Sequence, residues 1–223
     1  MPRGFFITFE GLDGSGKTTH LRLLARTLQA RGLPVTVTRQ PGGTELGDQI
    51  RALLLNSQTQ NIAPLAEMAL MFADRAQSLQ QIIEPALASG HIVLCDRFTD
   101  STEAYQGGGR ALGSERILEL HRAVCGNRWP DLTLLLLPDI DSSLSRARRR
   151  NVHQLIEGVD ENRFEAEQRT FYERTFAKYR EIAQREVSRV VAIEAETPAE
   201  ATVEAIQERI LKVVEERLAQ FSG

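Results

Sequence analysis

The chain has 223 residues, a net charge of −3, and hydrophobic and charged shares of 42% and 26%, ordinary for a globule able to bury a sizeable core. That balance excludes a general electrostatic pull toward nucleic acid or an anionic membrane, so an anion site has to come from local charge. No run approaches the roughly 20 apolar residues of a membrane span, and the apolar start of MPRGFFITFE is too short for a signal peptide, so the expected location is cytoplasmic.

FFITFE from Phe5 reads as a strand. After Lys17, apolar Leu21, Leu24, Ala25 and Leu28 fall at helical spacing, and Gly32 marks the stop. PVTVTR from Pro34 is β-branched, a second strand. ELGDQIRALLL and the stretch from about Pro64 to Ser89 read as helices. HIVLCD from His91 is a third strand, and its Cys95 is expected as a buried, reduced thiol. Cys95 and Cys125 are the only cysteines; they form neither a CxxC pair nor a Cys/His cluster of metal spacing. Ser114 begins another helix, with Ile117, Leu118, His121 and Val124 on or near one face. DLTLLLL from Asp131 suits a strand covered on both faces. A basic helix ends at Arg150, another runs from about Phe164 to Glu186, and RVVAI from Arg189 is a fifth strand. Thr197-Pro198-Ala199-Glu200 is a capping box that starts the last helix. Such alternation implies parallel strands with right-handed crossovers. The expectation is one α/β domain over residues 1–223, a five-stranded parallel sheet flanked by helices.

Gly11-Leu12-Asp13-Gly14-Ser15-Gly16-Lys17-Thr18 fits the phosphate-loop pattern G-x-x-x-x-G-K-[ST], and Thr19 follows. The stretch follows a predicted strand and opens a predicted helix, as the mechanism requires. Glycines let successive N–H groups line a nest for phosphate oxygens, and the helix N-terminus adds partial positive charge. Lys17 can reach the β- and γ-phosphates and Thr18 can ligate Mg²⁺. A P-loop NTPase fold using ATP and Mg²⁺ follows; the reaction does not. No guanine-reading Asn-Lys-x-Asp motif occurs, and little chain is left for the further domains of a motor. A small-molecule kinase fits. Asp96 ends the third strand, where ligands of parallel sheets gather. It can hold Mg²⁺ through water while Arg97 faces an acceptor phosphate.

TRQPGGTELG (Thr38 to Gly47) and DRFTDSTEAYQGGGR (Asp96 to Arg110), with the phosphate loop in this order and spacing, resemble thymidylate kinases. The resemblance runs from Phe5 to about Ala195 and implies a nucleoside monophosphate kinase-like enzyme. Such an enzyme moves the γ-phosphoryl of ATP to dTMP and usually forms a homodimer. It places Asp13 near the sugar 3'-hydroxyl and the acceptor phosphate, and makes Arg39 and Arg97 ligands of that phosphate. Arg75 matches the arginine that hydrogen-bonds thymine. Thr102 and Tyr105, with Ser101 and Gln106 in the same segment, match the residues that read the base edge and crowd the 2' position; core packing explains Tyr105 equally well. Two positions depart from the family. Met71 stands where relatives stack a phenylalanine on thymine, with Phe72 beside it, so either side chain covers the base. Gln40 replaces the usual glutamate before Pro-Gly-Gly.

The loop lacks the arginine some relatives carry there. The resemblance is to the bacterial type in which a lid, about residues 146–165, supplies it. By helical spacing Arg146, Arg149 and Arg150 share one side and Arg148 points elsewhere. Arg146 is expected against adenine, Arg150 near the phosphates and Arg163 as a further lid arginine, with polar Asn151 to Asn162 and its Gly158 as a flap. The alternatives are another nucleoside monophosphate or small-metabolite kinase, and a nucleotide-binding protein without turnover. His20, His91, His121 and His153 form no constellation.

Overall fold

The computed structural model describes residues 3–156, 160–195, 197 and 200–222, apart from the side chains of 150–156, 165, 166 and 222. Five strands pair in the order β2-β3-β1-β4-β5, all parallel. They are β1 (Phe5–Glu10), β2 (Val35–Arg39), β3 (Ile92–Asp96), β4 (Leu132–Leu136) and β5 (Val190–Ile193). Alternation along β1 feeds both faces. Phe5, Ile7 and Phe9 pack on α1 (Lys17–Ala30) and on Ile210 and Val214 of α9 (Val203–Ser222). Phe6 enters the core on the other face, with Phe72 of α3 (Pro64–Ser78) and Ile117 of α6 (Ser114–Cys125). All five residues of β4 are buried, as its leucines require. Strand order reverses at β1: the chain fills one side with β3 and β2, then the other with β4 and β5. A crevice therefore opens beyond the C-terminal ends of β1 and β3, where the phosphate loop and the Asp96-Arg97 turn lie.

Several boundaries differ from the sequence expectation. The helix after Pro64 is interrupted by a π turn, Leu79–Ile83, before α4 (Glu84–Ala88); Pro85 follows at once and has no N–H for the regular ladder. The segment after Arg97 coils into α5 (Thr99–Thr102) and a π-helix, Glu103–Gly109, which its three glycines concealed. Between them and β2 lies α2 (Glu45–Leu55), as its pattern predicts. The basic helix, α7, runs over Ile140–Ile156, past Arg150, so the first half of the expected flap is helical. A 3₁₀ turn, Arg163–Ala166, precedes α8 (Arg169–Arg185). Thr197 Oγ1 accepts from the Glu200 amide at 3.4 Å, but this closes an isolated turn. Thr202 Oγ1 accepts from Ala205 N at 3.2 Å at the start of α9. Pro198, Ala199 and Gly158 lie outside the described residues. Cys95 and Cys125 are buried free thiols. Among the described residues no helix is long and apolar enough to cross a membrane.

Candidate active site

The loop between β1 and α1 folds as the motif requires. Gly11, Gly14 and Gly16 take φ of 136°, 78° and 96°, a region that a Cβ disfavours. Gly14 also lies under α7, where a Cβ would overlap the Ser143 carbonyl oxygen and sit 2.8 Å from the Ala147 amide nitrogen. Leu12 turns its side chain into the core and leaves its backbone in the loop. Lys17 Nζ donates to Leu12 O at 2.7 Å, Gly11 O at 3.1 Å and Ser15 Oγ at 3.4 Å. Burial, then the Arg97 charge, push its amine down to about 8. Thr18 and Thr19 are exposed at the helix start. Thr18 Oγ1 donates to Asp96 Oδ2 at 2.7 Å, so the two predicted Mg²⁺ residues meet as a pair of hard oxygen donors.

Arg97 takes φ 71°, unusual for a residue with a side chain. Its Nη2 donates to Asp13 Oδ1 at 2.8 Å and Tyr105 OH at 3.3 Å. Its Nη1 donates to Gly11 O at 3.0 Å, Ser101 Oγ at 2.9 Å and Tyr179 OH at 3.3 Å. Tyr105 OH completes the ring by donating to Asp13 Oδ2 at 3.1 Å. Burial pushes the Tyr105 phenol up, so it stays a neutral donor. Beneath Arg97 the carboxylate of Glu10 accepts from Phe98 N at 2.7 Å, from Ser101 Oγ, and from Tyr179 OH at 3.3 Å. Burial, then the Asp100 charge, raise its carboxyl to about 7. Sequence reading missed Glu10 and Tyr179; an acid closing an apolar strand was the one available signal for Glu10.

A cavity beside this cluster is lined by Gln40, Met71, Arg75, Thr102, Tyr105, Gln106 and Phe164, among others. Arg75 is almost fully buried, its guanidinium 4.6 Å from the Phe72 ring centroid and 5.1 Å from that of Phe98. Phe72 is therefore not a cavity residue: it lies in the core and backs Arg75, while Met71 lines the cavity. Arg75 Nε donates to Gln40 Oε1 and Nη2 to Thr102 Oγ1, both at 2.9 Å. A guanidinium only donates, so the Gln40 oxygen must face it and the amide NH₂ faces away. Gln106 is fixed in the opposite sense: its Nε2 donates to the Glu67 carboxylate at 2.7 Å. Three buried polar atoms of cavity residues are left without a partner among the described residues: Gln40 Nε2, Arg75 Nη1 and Gln106 Oε1. Two donors and an acceptor are thus unused on residues that line the cavity.

Other predicted residues lie elsewhere. Arg39 is half-exposed, with Asp48 Oδ1 3.1 Å from its Nη2, and does not line the cavity. Arg163, expected as a further lid arginine, donates to Glu67 Oε2 at 2.7 Å and to Leu54 O. It is drawn there because Glu67 is fully buried in α3 and needs cations. Arg51 pairs through both nitrogens with Glu161, each at 2.7 Å. Arg149 lines the groove between α7 and α8 together with Arg148, contrary to the helical-spacing division; its Nη2 reaches Ser145 Oγ at 3.2 Å. Arg146 is exposed on α7, and the Arg150 side chain lies outside the described residues.

The chain has clear relatives. A model of the thymidylate kinase family matches residues 9–206. The chain is 42% identical over 209 residues to a thymidylate kinase of Pelobacter propionicus, covering 94% of each. It is 46% identical over 198 residues to one of Desulfovibrio desulfuricans, covering 89% of this chain and 91% of that one. The crystal structure of thymidylate kinase from Ehrlichia chaffeensis superimposes with a TM-score of 0.73 at 32% identity, over 96% of this chain and 99% of that one. Loop, turn and cavity sit within the matched region, and by that match this chain belongs to the thymidylate kinase family.

Proposed function

We propose that the chain transfers the γ-phosphoryl group of ATP to dTMP, giving dTDP. The observation that supports it most is the cavity edge of Gln40 Nε2, Arg75 Nη1 and Gln106 Oε1. Thymine offers an O4 acceptor and a ring N–H donor, which match that edge. Cytosine carries an amino donor at the same place and would leave buried donors facing a donor. Met71 covers the base, and Tyr105 crowds the sugar.

The residues divide the work by position. The loop amides of residues 11–16 and the start of α1 hold the ATP phosphates, and Lys17 exchanges its loop carbonyls for phosphate oxygens. Thr18 and Asp96 fit Mg²⁺, which when bound neutralises charge on the β- and γ-phosphates. Arg97 orients the acceptor phosphate, with Asp13 setting the guanidinium and the sugar. Arg39 joins it by giving up Asp48, an exposed partner worth only about 0–1 kcal/mol. Arg150 is the lid arginine that meets the transferred group, Arg146 lies against adenine, and the lid spans about residues 146–165 of a single domain, 1–223. The chain works in the cytoplasm as a homodimer.

Coupled ADP release with dTMP, dUMP, CMP and AMP as acceptors tests the reading. Turnover is expected with dTMP and to a lesser degree with dUMP. Preference for CMP or AMP would overturn the base assignment, and ATP binding without ADP release would overturn the reaction.

A further inference from the structure

We propose that Glu10 is a positioning residue for phosphoryl transfer, its buried carboxylate holding Arg97 in the left-handed turn that aims the guanidinium at Asp13. The inference rests on the reading of Arg97 as the acceptor-phosphate ligand. Glu10 is fully buried and does not line the cavity, so it acts through Arg97 and not on substrate.

Both carboxylate oxygens serve the segment that follows Arg97. Oε1 accepts from the Phe98 amide at 2.7 Å and Oε2 from the Ser101 hydroxyl. Arg97 Nη1 donates to the same Ser101 Oγ at 2.9 Å. One carboxylate thereby fixes the backbone just after Arg97 and, through one hydroxyl, the tip of its side chain. A non-glycine residue at φ 71° persists where its surroundings over-determine it. Here Arg97 N also donates to Phe9 O at 3.0 Å.

The hydroxyl gives the arrangement a direction. An ionised Glu10 only accepts, so Ser101 must donate to it and keep its lone pairs for Arg97 and Tyr179. A protonated Glu10 can donate to Ser101 instead, which sends the Ser101 hydrogen to Tyr179 OH at 2.9 Å and removes the negative charge that faces Arg97. The charges around Glu10 are mixed. Arg97, Lys17, Arg75 and Arg189 favour its ionised form, while Asp100 opposes it. The Cys95 thiol of β3 lies in the same field, and Asp100 is itself held by Arg189 at 2.7 and 2.8 Å.

The test is steady-state ADP release by wild type, Glu10→Gln, Ser101→Ala and Arg97→Ala across neutral pH, with thermal unfolding of each. Glu10→Gln should lower kcat/KM for dTMP on the order of 100-fold, the scale of a small misplacement of a reacting group, with KM for ATP little changed. The wild type is expected to lose activity as Glu10 takes up a proton below about pH 7, and Glu10→Gln should lack that limb, whereas ionisation of the dTMP phosphate affects both enzymes alike. Glu10→Asp should recover part of the rate. A Glu10→Gln enzyme of lowered Tm but wild-type kcat/KM and pH profile would overturn the inference. If Glu10→Gln does not fold, Ser101→Ala decides, and a wild-type kcat/KM there overturns it equally. Should Arg97→Ala be as active as wild type, the reading of Arg97 fails first; if Arg97→Ala is impaired and both relay variants are not, only the role of Glu10 fails.

Discussion

Arg163 Nη2 and Glu67 Oε2 lie 2.7 Å apart, an ion pair that ties the segment after α7 to the helix carrying Met71 and Arg75. Glu67 is fully buried and also takes Gln106 and Arg110, so Arg163 is spent on structure. Arg163→Ala should cost about 1.5–3 kcal/mol, the range for a buried charged hydrogen bond, and change kcat far less. Denaturant unfolding and ADP release on one preparation check this; a large fall in kcat with unchanged stability would contradict it.

The same carboxylate gives an acid-stability prediction. Burial pushes the Glu67 carboxyl up, but the hydrogen bonds of Arg110 and Gln106 and the charges of Arg110 and Arg163 outweigh it and hold it below its usual value. A depressed folded value adds stability that is present above the unfolded value of 4.5 and lost as pH falls through the folded one. The stability gap between wild type and Glu67→Gln should therefore narrow as acid is added below that value. A gap independent of pH would refute the linkage.

Met71 and Phe72 should separate cleanly. Phe72→Ala empties a core site behind Arg75 and should cost about 3–5 kcal/mol. Met71→Ala should leave stability nearly intact and raise KM for dTMP several-fold. The reverse pattern would place the wrong side chain on the base.

Gly14→Ala meets two obstacles at once: φ 78° and the backbone of α7 where its methyl would go. Loss of ATP binding, measured by calorimetry, is expected together with a lower Tm. Wild-type affinity would mean that α7 yields easily at Ser143 and Ala147.

Lys17→Ala should reduce kcat at least about 100-fold, the usual loss on removing a donor to developing charge. Arg150→Ala should lower kcat by a similar order while KM for dTMP moves little. An Arg150→Ala enzyme with wild-type kcat would remove that residue from the chemistry.

The sequence made legible whatever depends on local pattern. Five strands, α1 and α2 follow from runs and motifs whose neighbours are close in the chain. The loop motif and the strand end assigned Thr18 and Asp96 to one metal, and the family resemblance assigned Asp13 and Arg97 to one phosphate, without showing that they touch. It failed where distant partners decide. Arg163 looked like its basic neighbours until Glu67, nearly a hundred residues away, was seen beneath it. Phe72 and Met71 are adjacent, and only the rotation of α3 separates core from cavity. Glu10 gained its place from Phe98, Ser101 and Tyr179, none of which a reading of the phosphate loop would connect to it. Gly108 and Gly109 carry no helix signal because their value lies in contact with α8, not in helix propensity.

That wide coil at Glu103–Gly109 sets a rotational phase. Tyr105 and Gln106 face the cavity from it, while a methyl on Gly109 would sit 2.5 Å from the Phe171 ring and one on Gly108 2.7 Å from Lys178 Cβ. Shortening the coil by one residue would wind it to ordinary pitch and swing the two readers of the base away from Arg75. Length therefore matters in this stretch as much as side-chain identity, and a one-residue insertion or deletion there should weaken base recognition even where each individual side chain survives.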